Sequence, residues 1–475
     1  MAGPFALLML AALPADETKA PGDLPSALRR FMEVYAKVEA VAAERVDPEK
    51  AIYGGAIPGM LRRLDPHSVF FDPQQFEQLK ELERSTRKGF GTIVSVLPGR
   101  VIVLQALPGT PSARAGILPG DEILAINDIS LDRLDLDQLI ALLGESRQRP
   151  AKLDVRRPGA TGILTLTLTP EEMQSPSVER AFHVAPGVGY LRVTSFDANT
   201  GREVREAIEK LGGRQLKGLV LDLRNNPGGM LPSALETAAL FLPPGSRLLT
   251  ARGRAVGPRE EKVPEDARPY DFPLAVLING RSASAAEIVA GALQDHGRAA
   301  IVGEPSFGKG LVETVYPLSD NTGLALTTAY YYTPKGRSIQ RPLPGTPLQP
   351  AGVGGPTAVG GIQPDRLVYP EAMTPFRTIV EASGAFTSFA TEFTRRREVR
   401  EPFEITPAVL DEFQAYLAER KIQPSVTEWV REREWISVRL KTEILNQALG
   451  VDKGDQVELA ADPVVRAALR ALGAG

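Results

Sequence analysis

The amino-acid sequence predicts a multidomain α/β protein. It has a helical N-terminal region, a small inserted β-rich domain, an α/β core with a mostly parallel sheet, and a helical C-terminal region. Three observations carry this reading. At 475 residues the chain is too long for one hydrophobic core. Both ends carry apolar residues at three- and four-residue spacing, as amphipathic helices do. The centre instead alternates nearly continuous apolar runs with amphipathic stretches, the pattern of buried parallel strands and their crossover helices.

Residues 1–23 hold a short apolar run, Phe5 to Leu13, ahead of Pro14-Ala15-Asp16. It is too short to span a bilayer and has the length of a signal-peptide apolar segment, although no basic residue precedes it. Residues 24–87 read as helices: LPSALRRFMEVYAKVEAV first, then a stretch opened by Asp47-Pro48 that ends near LRRLDPHSVFFDP. Residues 88–170 change character. TIVSVL, RVIVLQAL and the turn-rich LPGTPSARAGILPGDEILAIND precede an amphipathic helix around LDLDQLIALLGE and a closing strand, KLDVRR.

Residues 171–371 alternate strand and helix: VGYLRV, GREVREAIEKLGG, LKGLVLDLR, SALETAALFL, PLAVLING, ASAAEIVAGALQDH and AAIVGE. Within them RPLPGTPLQPAGVGGPTAVGGIQPD, at 341–365, is so rich in Pro and Gly that it reads as a loop. Residues 372–475 are helical, with Ile436, Leu440, Ile444, Leu445 and Leu449 on one face of EWISVRLKTEILNQALG.

Composition excludes several classes of function. A net charge of −3 with scattered basic residues gives no footprint for nucleic acid. The absence of cysteine removes disulfides, thiolate catalysis and Cys-ligated metal together. The three histidines, His67, His183 and His296, show no metal-ligand spacing, and no metal or other cofactor is expected.

Two segments carry chemistry. In Asn279-Gly280-Arg281-Ser282-Ala283-Ser284-Ala285-Ala286-Glu287-Ile288 a strand turns tightly into a helix that opens with small residues. A serine there exposes its hydroxyl beside free helix-start amides that can stabilise an oxyanion. Taken alone, Ser282 or Ser284 reads equally as a helix cap. The second segment runs from Pro305 through Phe307-Gly308-Lys309-Gly310 to Glu313. Gly303 to Lys309 mimics a phosphate-binding loop, but Gly310 stands where Ser or Thr is needed and strand formers follow instead of a helix.

The stretches GTPSARAGILPGDEILAIND, LVLDLRNNPGG, SASAAEIVAGALQDHGRA, GEPSFGKG and YYTPKGRSIQ, in this order, resemble the carboxy-terminal processing (tail-specific) proteases over residues 60–365. The resemblance makes residues 88–170 a PDZ domain and 171–371 a Ser–Lys protease core. It implies Ser284 as nucleophile, Lys309 as general base, and an oxyanion hole from Ala285 with Gly228 or Gly229. The PDZ loop Lys88-Gly89-Phe90-Gly91 is implied to hold a peptide carboxylate, with Gly89, Phe90 and Gly91 as the binding residues. Asp222, Arg224 and Asn225 are read as ordering the oxyanion loop.

One position departs from the family. Where relatives have a glutamine that orients the lysine, this chain has Glu313. A lysine serves as base only as the neutral amine, and an ionised carboxylate beside it favours the ammonium.

The expectation is therefore a serine endopeptidase of the periplasm or cell envelope, acting on proteins with unstructured C-termini. Some relatives assemble through terminal helices, so a homo-oligomer is implied as well. The alternative is a catalytically weak PDZ peptide-binding scaffold. A Ser–His–Asp protease is rejected, because the sequence has no G-N-S-G-G element and no histidine-bearing protease domain ahead of the PDZ region.

Overall fold

The computed structural model describes residues 23–474, apart from 84–85, 98, 175, 256 and 344–359. The apolar run Phe5–Leu13 and most of the Pro/Gly-rich loop lie outside the described residues.

The protein core is built on the strands Val188–Val193, Gly218–Asp222, Leu274–Ile278 and Ala299–Gly303, paired in parallel. The short strand Arg366–Leu367 extends them in parallel, and Val178–Ala185 joins the opposite edge antiparallel. The sheet is therefore mixed, though mostly parallel. Alternation along each strand divides its side chains between two faces. Leu219, Leu221, Val276 and Ile278 point to one face, where helices Thr200–Lys210, Leu231–Ala239 and Ala285–Asp295 cover them. Val220, Ala275, Leu277 and Val302 point to the other, where Leu459, Val464, Val465 and Ala468 of the last two helices cover them. Residues from the far C-terminus thus complete the three-layer core.

A second, antiparallel sheet was not read from the sequence. Leu311–Pro317 pairs with Gly323–Tyr332, whose other edge takes Val69–Phe71 and Arg247–Arg252. Strand Leu311–Pro317 begins directly after Gly310, so Lys309 leads into a strand and not a phosphate-binding helix.

In the N-terminal region Leu24–Val41 is a helix with no buried residue, and Pro48–Leu64 is helical with a π-turn at Ile52–Ala56. Residues 92–168 form a separate antiparallel sheet. It closes around Val101, Val103, Ile123, Leu139 and Val155, with helices Pro111–Arg114 and Leu136–Ser146. Thr86–Gly89 pairs antiparallel with Glu171–Gln174 where the chain enters and leaves this unit.

The C-terminal helices Pro375–Ala382, Ala385–Arg396, Pro407–Glu419 and Val426–Leu449 bury an aromatic cluster of Phe386, Phe389, Phe393 and Phe413. Ile436, Leu440, Ile444 and Leu445 face it as their spacing predicts, whereas Leu449, at the helix end, is exposed. This apolar stripe is thus used inside the chain.

Candidate active site

The strand Leu274–Ile278 runs into a tight turn in which the Ser282 N–H donates to the Asn279 carbonyl, 2.8 Å. Ser282 is fully buried. Its hydroxyl donates to the Leu223 carbonyl (2.7 Å) and accepts from the Asn279 N–H (2.9 Å). It stitches two turns together and offers no free oxygen to a substrate.

Ser284, half-buried, stands at φ 52°, ψ −114° immediately before the helix Ala285–Asp295. A non-glycine residue held there costs about 1–3 kcal/mol and persists only where its surroundings fix it. The Ser284 N–H donates to Glu287 Oε2 (2.8 Å), and its carbonyl accepts from the Tyr331 hydroxyl (3.0 Å). The same Glu287 carboxylate accepts from the Gly308 and Lys309 N–H groups (2.7 and 2.9 Å), and the Tyr331 hydroxyl also reaches the Lys309 carbonyl (2.8 Å). Serine and lysine loops are therefore bound to the same two side chains.

The loop after Gly218–Asp222 lies against this turn. A Cβ on Gly228 (φ +99°) would sit 2.8 Å from Ser284 Cβ and 2.9 Å from the Ala285 nitrogen, so only glycine permits the approach. The two glycines differ in their amides. The Gly228 N–H donates to Asn226 Oδ1, 2.8 Å, and is engaged; the N–H groups of Gly229 and Ala285 donate to no described residue. Asn226, which sequence reasoning passed over, is fully buried and ties the loop to both sides. Its side chain donates to the Val193 carbonyl, and its own carbonyl accepts from the Ala283 N–H, both at 2.9 Å. Asn225 pairs with Asn279 across the turn. Arg224 joins buried Asp222 to Asp462, the cap of the last helix.

Comparison with known proteins gives the family. The sequence profile of Peptidase family S41 matches residues 187–350, and a PDZ-domain profile matches 102–157. A carboxy-terminal-processing protease of Bartonella bacilliformis is 37% identical over 321 residues, covering 66% of this chain and 72% of the relative. The chain belongs to peptidase family S41. A Synechocystis relative called a carboxyl-terminal-processing protease is 36% identical over 292 residues, covering 60% of this chain and 68% of its own. The solved photosystem II D1 C-terminal processing protease is 27% identical, with 73% of this chain and 88% of that one aligned at a TM-score of 0.41. This S41 member is a serine-type peptidase with a PDZ domain.

Within the S41 core the Lys309 side chain does not reach Ser284 by hydrogen bond. Its Nζ lies 2.8 Å from Glu313 Oε1, both groups partly buried. The contact is one of charge, since Glu313 Oε1 makes no directed hydrogen bond. Glu313 pairs in register with Thr327, whose N–H and hydroxyl bond Ser68 and Asp65 of the Asp65-Pro66-His67-Ser68 turn. That turn brings His67 within electrostatic reach of the lysine. Burial and the Lys309 charge push the His67 imidazole below its ordinary value, against the pull of Glu313 and Asp65. The sequence reading gave His67 no chemistry, yet the structure brings it to the site's edge. His296 caps its helix and its ring meets the Arg247 carbonyl, away from the site.

In the PDZ domain Gly91 has φ +74°, and a Cβ there would strike the Thr110 side chain. The Phe90 and Gly91 carbonyls accept from Ser112 and Leu107, while the two N–H groups donate to no described residue. Gly89 belongs to the strand Thr86–Gly89 and pairs with Glu171.

Proposed function

We propose that this S41 peptidase is an endopeptidase that captures unstructured C-terminal tails through its PDZ domain and cuts the protein with a Ser284–Lys309 pair. The observation that carries the reading is Ser284 at a strained helix start, its backbone bound to the same Glu287 carboxylate as Lys309. Ser284 Oγ attacks the scissile carbonyl while the Lys309 amine takes its proton. The oxyanion that forms lies beside the unengaged amides of Ala285 and Gly229, which support an oxyanion hole. Gly228, its amide already bonded, serves by allowing the close approach.

Lysine's flexible stem lets Nζ leave Glu313 for Ser284. The open amides of Phe90 and Gly91 support capture of a terminal carboxylate, with Gly89 fixing the loop's entry. Export to the periplasm or cell envelope completes the proposal, supported by the Phe5–Leu13 run and tested by N-terminal sequencing of the mature protein. The Lys309–Glu313 ion pair favours a second reading, a PDZ scaffold of low catalytic power.

Wild type and Ser284→Ala, incubated with one protein carrying or lacking an apolar unstructured tail, separate the two readings. The protease reading expects cleavage that needs both Ser284 and the tail. Binding of the tail without cleavage by wild type would establish the scaffold instead.

A further inference from the structure

Four backbone groups decide where Ser284 and Lys309 stand: the N–H and the carbonyl of each. All four are held by two buried side chains. Glu287 Oε2 accepts from the Ser284 N–H (2.8 Å) and the Lys309 N–H (2.9 Å). The Tyr331 hydroxyl shares its one proton between the Ser284 carbonyl (3.0 Å) and the Lys309 carbonyl (2.8 Å). Both side chains are almost wholly withdrawn from water.

We infer that Glu287 and Tyr331 form a two-sided clamp that sets the separation of nucleophile and base. They are positioning residues of the reaction, not participants in it. The inference rests on the Ser284–Lys309 reading above.

Ordinary roles account for only part of these contacts. A glutamate three residues into a helix reaches back to the capping N–H as a matter of course, which explains the bond to Ser284 alone. The remaining bonds come from a loop about twenty residues away: Gly308 N–H (2.7 Å) and Ser306 O–H (2.5 Å) on Oε1, and Lys309 N–H on Oε2. Three of the four partners are backbone N–H groups, which cannot become acceptors, so the contacts favour the ionised carboxylate against the upward push of burial on its proton affinity. A buried tyrosine needs one partner; Tyr331 meets two, one from each loop of the site. Its own N–H is pinned to the Gly310 carbonyl (3.0 Å), so the hydroxyl is aimed from a fixed strand. Burial and the nearby Glu287 charge keep that hydroxyl protonated, and hence a donor. The clamp also accounts for the strained φ of Ser284, since both polar groups of that residue are claimed.

The test compares Tyr331→Phe, Glu287→Gln and Glu287→Ala with wild type on a tailed protein substrate, each assayed well below its own unfolding midpoint. Ser284→Ala and Lys309→Ala run beside them. Misplacing reacting groups by about 1 Å costs on the order of 10²-fold in rate. Tyr331→Phe should therefore lower kcat by roughly 10- to 100-fold with KM within about twofold. Glu287→Gln keeps one oxygen for two of the four donors and should retain more kcat than Glu287→Ala. Should Glu287→Ala fail to fold, the other two variants decide.

Tyr331→Phe and Glu287→Gln with wild-type kcat, or with losses confined to KM, would overturn the clamp while inactive Ser284→Ala and Lys309→Ala left the dyad standing. Full activity in Lys309→Ala would remove the dyad, and the clamp with it.

Discussion

Lys309 Nζ stands 2.8 Å from the Glu313 carboxylate and must leave that contact to take a proton from Ser284. Glu313→Gln keeps the shape and removes the charge. kcat/KM should rise, because Nζ no longer has to leave an ion pair to reach Ser284. Unchanged kcat/KM would make Glu313 a bystander, and lost activity would give the carboxylate a part in the chemistry. Ser282→Ala removes a hydroxyl bonded on both sides, so denaturation should show about 1–3 kcal/mol of lost stability with far more residual cleavage than Ser284→Ala. At this scale Ser284 and Lys309 were legible as candidates because they stand inside long motifs, and Glu313 by its place four residues after the lysine. Glu287 and Tyr331 stood in the same motifs and were not legible as positioning groups. A glutamate near a helix start reads as a cap, a tyrosine in a β-run reads as core, and only tertiary contact shows that each touches both loops.

Among the elements, the parallel strands were legible from their continuous apolar runs, and the helices from their spacing. The antiparallel sheet was not. Val69–Phe71 is three residues long and pairs with Ala325, Leu324 and Gly323, so its partner lies far outside any local window. The role of the last helix was equally hidden, because Pro463–Ala471 reads as an amphipathic helix whatever it covers. Its Val465 is fully buried against the sheet, and Arg224 bridges its cap residue Asp462 to Asp222. Val465→Asp should cost about 3–5 kcal/mol, the penalty of an uncompensated buried charge, and lower the denaturation midpoint of the protease core. Wild-type stability would show that this helix is dispensable to the core.

For the whole molecule, the order of helical, β-rich, α/β and helical regions was readable from composition and periodicity. How the regions share surfaces was not. The C-terminal stripes pack against one another, whereas Leu24–Val41 leaves Leu24, Leu28, Phe31, Met32 and Val38 exposed. An isolated helix of this length is marginal in water, so an apolar face that the described residues leave uncovered favours association. We expect a homo-oligomer formed through this helix, with Phe31→Glu/Met32→Glu lowering the mass seen by light scattering. A monomeric wild type would contradict that expectation. Removing residues 88–168 should change cleavage rate or selectivity, because tail capture is assigned to the PDZ loop; equal cleavage of tailed and tail-less substrates by both forms would remove the coupling.

The central claim is that Ser284 is a nucleophile activated by Lys309, and covalent labelling tests it most directly. Wild type treated with a sulfonyl fluoride, digested and mapped by mass spectrometry, should carry one adduct, on Ser284, formed with loss of fluoride. Lys309→Ala should fold and label at a small fraction of the wild-type rate. An adduct on Ser282, or labelling of Ser284 at an undiminished rate without Lys309, would contradict the account.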